Sequence, residues 1–138
     1  MNITPAATPD MPPAVIEGPK YAETADLPTK DLTALIRADA RARLAELKKA
    51  GLVASGVRVN ARHEWLGSGM HSINLTVTIP QVREGLDWPS DTRVGEILRQ
   101  QLETLRRELE PLREAYNRET RNTSADHCRY YGGTLIGA

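Results

Sequence analysis

The row Ile73, Leu75, Val77 and Ile79, alternating with Asn74, Thr76 and Thr78, limits what this chain can fold into more than any other feature. Side chains on an extended strand point to opposite faces in turn, so the segment reads as a strand with one buried and one wet face. Fully burying four such side chains contributes on the order of 1.5–3 kcal/mol each. The same period appears upstream, where Val57, Val59 and Ala61 alternate with Arg58, Asn60 and Arg62. Gly67-Ser68-Gly69 lies between the two runs and can take the positive φ that a hairpin turn or bulge requires. Pro80 ends the second strand, because it has no N–H to donate to a ladder. A central β-hairpin follows.

The flanks are helical. Leu32, Leu35, Ile36, Ala40, Leu44 and Leu47 recur at spacings of three and four and form one apolar stripe. Thr29 is placed to cap this helix, Asp31 sits in its first turn, and Gly51 is a natural stop behind Lys48 and Lys49. A longer helix follows, with Ser90 or Asp91 as cap and Val94, Ile97, Leu98, Leu102, Leu105, Leu109, Leu112 and Tyr116 as its apolar positions. Pro111 lies inside that stripe and predicts a kink or a break. The stretch from Cys128 to Ile136 reads as a third strand, with Gly132-Gly133 marking a bulge or a close approach. The expected architecture is α+β: a small antiparallel sheet of about three strands built on the hairpin, with two main helices on one face.

Pro5, Pro9, Pro12, Pro13 and Pro19 punctuate the start of the chain, each fixing φ and removing a donor. Residues 1–20 are therefore expected to be a disordered leader and 21–138 a single α+β domain. The 138 residues suffice for one domain with a core of its own, and the absence of Phe makes that core aliphatic. Eighteen basic residues balance eighteen acidic ones, so no global field draws the chain to nucleic acid or to an anionic membrane. Any basic site has to be local. Cys128 is the only cysteine, which rules out an internal disulfide and suits a reducing cytoplasm. No apolar run approaches the roughly 20 residues of a membrane span, and no signal peptide is expected.

Three stretches, taken in order, carry a resemblance. Tyr21 is followed by Pro28-Thr29-Lys30-Asp31-Leu32 and Leu35-Ile36-Arg37; Val57-Arg58-Val59 by the glycine loop and Ser72-Ile73-Asn74-Leu75-Thr76-Val77; Tyr116-Asn117 by Asn122 to Asp126 and Tyr130-Tyr131-Gly132. From Tyr21 to Gly137 this order resembles the large polyvalent-protein-associated domains, specifically type twenty-nine. The resemblance implies an accessory domain of phages and conjugative elements, some of which act on host defences, working in the cytoplasm of a bacterial host. It implies no catalytic residues and no cofactor.

Three groups of residues are worth following into the structure. Arg58, Asn60, Arg62, Asn74, Thr76 and Thr78 should project from the wet side of the hairpin, with donors suited to phosphates or an acidic protein surface. His63, His71 and Asp126 are the candidate metal or acid-base set, although no recognised ligand spacing is present. Leu98, Leu102, Leu105 and Leu109 form a heptad-like seam that would serve either the chain's own core or a homodimer. Arg37 and Arg41 share a helix face, but Asp39 and Glu46 look set to dilute it. Cys128 beside His127 makes no catalytic pair, because strand neighbours face opposite ways, and it is expected to be a small buried residue. The expected function is a non-enzymatic interaction module that binds a host protein or nucleic acid. A small metal-dependent hydrolase and a homodimeric scaffold are the alternatives.

Overall fold

The computed structural model describes residues 14–80, 92–121 and 127–137. Its centre is the hairpin: β2 (Arg58–Gly67) pairs antiparallel with β3 (Met70–Thr78). Gly67, Ser68 and Gly69 all take positive φ, at 93°, 52° and 77°, and the register shifts between Trp65 and Gly67. The glycines therefore do the turning that the sequence assigns to them. Val59, Ala61, Ile73, Leu75 and Val77 are buried on one side, as the alternation requires.

Helix α1 (Thr29–Lys49) lays Leu32, Ile36, Ala40, Leu44 and Leu47 on that buried side. Thr29 is the first helical residue and not the cap. Pro28, in extended conformation, precedes it and offers its carbonyl to the N–H groups of Asp31 and Leu32. At the other end Gly51 takes φ 76°, and the N–H groups of Gly51 and Leu52 return to the carbonyls of Lys48 and Leu47. Helix α2 (Thr92–Glu114) runs through Pro111 without a break. That proline is exposed and lies in the last turn of the helix. The expected caps Ser90 and Asp91 lie outside the described residues.

Both helices pack on one face of a three-stranded sheet whose order is β2, β3 and the last strand, β6 (Thr134–Gly137), in an α+β fold. β6 joins β3 in parallel, not antiparallel, since a long crossover through α2 separates the two. The expected third strand is in fact two. β5 (His127–Cys128) belongs to a second small sheet, with β4 (Arg118–Arg121) at its centre and β1 (Ala14–Glu17) on the other side. β1 pairs antiparallel with β4. The leader expected to run to residue 20 therefore gives way to structure by Ala14; residues 1–13 lie outside the described residues. Cys128 is half-buried, not fully buried. No helix among the described residues is long and apolar enough to cross a membrane.

A polar network ties the two sheets to α2. The Arg113 side chain is 2% exposed and donates to Glu110, to Glu114 and to the Ile73 carbonyl of β3. Tyr130 donates its hydroxyl to the Arg113 carbonyl. The Asn117 side chain donates to Glu114 and to the Tyr130 carbonyl, and accepts from the Tyr130 and Arg118 N–H groups. Arg129 stacks on Tyr21 and donates to the carbonyls of Thr24, Leu27 and Tyr116. Among the described residues no buried side-chain nitrogen or oxygen lacks a partner. Tyr21, Tyr116, Asn117 and Tyr130, all quoted for the resemblance, are thus spent on architecture.

This network gives stability a pH dependence. Burial on its own would raise the Glu110 pKa, but hydrogen bonds from Arg113 and Thr134 more than offset it and hold the carboxyl below its usual 4.5. A carboxyl with a lowered folded-state pKa stabilises the fold above its ordinary value, and that contribution is lost as pH falls through the lowered one. Unfolding midpoints should stay flat from pH 7 to about 5 and decline below about 4.5, with Glu110→Gln flattening the acid limb. An acid limb identical in the two proteins would count against this assignment.

Candidate functional site

The register sets Arg58 opposite Thr78, Asn60 opposite Thr76 and Arg62 opposite Asn74, so the expected polar face exists as three cross-strand pairs. Its members are not equivalent. Asn74 accepts from the Gly133 N–H at 2.9 Å, which helps seat the segment entering β6. Thr76 donates to the Asn60 carbonyl at 3.4 Å, and Thr78 is half-buried. Arg58 and Arg62 are exposed, and neither has an ion-pair partner among the described residues.

Helix α1 completes a surface that the hairpin only begins. β2 is an edge strand whose outward carbonyls need donors. Arg37 donates to the Ala61 carbonyl at 2.8 Å and Arg41 to the Val59 carbonyl at 3.3 Å. Both also reach the Asn60 side-chain oxygen, at 2.8 and 3.4 Å. Lys30 and Lys48 extend the same helical row, since spacings of seven, four and seven residues return to one face. The acidic residues expected to dilute this row point elsewhere. Asp39 takes hydrogen bonds from Lys20 and Tyr116, and Glu46 pairs with Arg43.

Two grooves result along the seam between α1 and β2. One, of about 530 Å³, is lined by Lys30, Arg37, Arg62 and His63 among neutral residues. The other, of about 320 Å³, is lined by Arg41, Lys48 and Arg58 among neutral residues. Neither lining contains an aspartate or glutamate. From Lys30 to Lys48 the helix rises roughly 27 Å, at about 1.5 Å per residue. A chain of balanced charge has therefore gathered cations on one edge. The 7-4-7 spacing is visible in the sequence, but only the packing of α1 over β2 brings it alongside Arg58 and Arg62.

The other candidates fare differently. His63, which lines the first groove, meets His71 there, with Nε2 of His63 2.8 Å from Nδ1 of His71. One ring must donate and the other accept, so at least one is neutral. Burial, then the nearby His71, lowers the His63 pKa below the usual 6.5. Asp126, the third proposed ligand, lies outside the described residues, and no group of three or more metal-ligating side chains gathers among those described. Leu98, Leu105 and Leu109 are buried in the chain's own core and Leu102 packs against it, so this row is not an open seam for a second copy. No pattern in the sequence singles out Trp65, which is 68% exposed near the hairpin tip.

No protein-family model, no curated protein and no solved structure matches this chain.

Proposed function

We propose that this chain is a non-enzymatic interaction module that holds the phosphate backbone of nucleic acid along the seam between α1 and β2. The observation that carries it is the acid-free lining of two consecutive grooves by Lys30, Arg37, Arg41, Lys48, Arg58 and Arg62, in a chain with no net charge. Phosphates need several cations and N–H donors in a row, and the roughly 27 Å of helix spans about eight phosphates at a spacing of about 3.4 Å along one strand. An acidic face on a host protein would meet the same donors, but a long narrow row suits a linear polyanion better. The resemblance to domains of phages and conjugative elements supplies a setting, the bacterial cytoplasm, in which such a module would accompany transferred DNA or act against a host defence.

Replacing Arg58 and Arg62 together by glutamate is the direct test. Both are exposed and neither pairs with another side chain among the described residues, so the unfolding midpoint should not move. Affinity for a labelled oligonucleotide at 50 mM salt should fall by about tenfold or more. The plot of log K against log salt should lose roughly 0.7–0.9 of slope per phosphate contact removed. Wild-type protein that binds no oligonucleotide, or a double variant that binds as well as wild type, would refute the seam.

A further inference from the structure

We infer that the outer half of the hairpin is a base-stacking platform, and that the nucleic acid it takes is single-stranded. The inference rests on the seam holding phosphates, and it comes from residues outside that row of cations. On β2, Ala61, His63 and Trp65 share the helix-facing side by alternation. Lys30, in the first turn of α1, and His63 line the same groove, so the helix begins level with that histidine. Trp65 stands one two-residue step further out, roughly 6.8 Å along the strand.

Trp65 is directly paired with His71, whose ring lies 5.0 Å from that of His63 at an angle of 33°. Three π-faced side chains thus sit together at the end of the cationic groove. Leu66 and Met70, 48% and 40% exposed, continue the apolar surface at the tip. A tryptophan left 68% exposed contributes little to folding, whereas a ring face beside a phosphate-binding groove suits a nucleobase. Bases in a duplex have their faces covered by their neighbours, so the platform serves unpaired bases alone. The lowered His63 pKa favours a neutral ring there at pH 7.

The test uses the full chain, labelled single-stranded DNA and RNA 12-mers of one sequence, and the matching blunt DNA duplex, read by fluorescence anisotropy. Wild type should prefer a single strand. Trp65→Ala should weaken whichever single strand binds tighter by at least about fivefold and leave the duplex unchanged, and Trp65→Phe should restore part of the loss. R58E/R62E should weaken every probe. If that double variant weakens binding while Trp65→Ala binds single strands as wild type does, the platform is wrong and the seam stands. If no oligonucleotide binds, both fail. Phosphatidylglycerol vesicles captured through Trp65 by protein that ignores oligonucleotides would overturn the inference in favour of a membrane surface.

Discussion

Arg113→Met should lower the unfolding free energy by about 2–4 kcal/mol, measured by urea denaturation at pH 7. The guanidinium is almost fully buried and donates to two carboxylates and to the Ile73 carbonyl at 3.2 Å. Methionine fills much of the same volume, so the loss measures the polar contacts more than a cavity. Two effects compete. The Ile73 carbonyl loses a buried donor, whereas the Glu110 and Glu114 side chains, 38% and 46% exposed, can recover some hydration. That relief keeps the expected cost below the upper end for breaking a fully buried pair. Arg113→Lys should fall between, because an ammonium keeps the charge but cannot span Glu110 in the two-pronged fashion of the guanidinium. A loss under about 1 kcal/mol for methionine would show that the network is dispensable.

This arginine also marks the limit of what the sequence discloses. Periodicity located the hairpin and α1 because their buried faces repeat every two or every three to four residues. Arg113 lies on the buried stripe of α2, four residues after Leu109 and three before Tyr116, but a charged residue is invisible to an apolar pattern, and its burial depends on Glu110 and Glu114 on the same helix and on a carbonyl forty residues away. Strand β1 was hidden for another reason. Ala14, Val15, Ile16 and Glu17 make only four extended residues among prolines, and their pairing with β4 is a long-range event. The region from Cys128 to Ile136 reads as one strand because extended backbone looks alike whichever sheet receives it. The candidate site divides in the same way: Arg58 and Arg62 follow from alternation, while their union with Lys30, Arg37, Arg41 and Lys48 needs α1 to lie along the β2 edge. Asp39 and Glu46 are neighbours of that row in sequence only; in space they turn to Lys20, Tyr116 and Arg43.

Gly132→Ala should cost about 3–5 kcal/mol, with the adjacent Gly133→Ala costing less than about 1 kcal/mol. The contrast follows from position, not from glycine content. Gly132 takes φ 124°, a conformation open almost only to glycine, and an added Cβ would sit 2.4 Å from the Ile73 carbonyl oxygen and 2.7 Å from the Asn74 side-chain oxygen. The first neighbour is backbone of the central strand and cannot turn aside. Gly133 has nothing within 4 Å of its Cβ position. The chain must come this close because the Ile73 and Leu75 N–H groups donate to the Tyr131 and Gly133 carbonyls on either side of Gly132. A Cβ there pushes the entry to β6 away from β3, loosens the Asn74 contact to Gly133, and frees one edge of the sheet whose opposite edge carries Arg58 and Arg62. Under the proposed function, oligonucleotide affinity should therefore fall only as far as the folded fraction does, since the proposed seam lies across the sheet on β2. A Gly132→Ala protein that remains folded yet loses its oligonucleotide affinity would place the binding surface on the β6 edge instead.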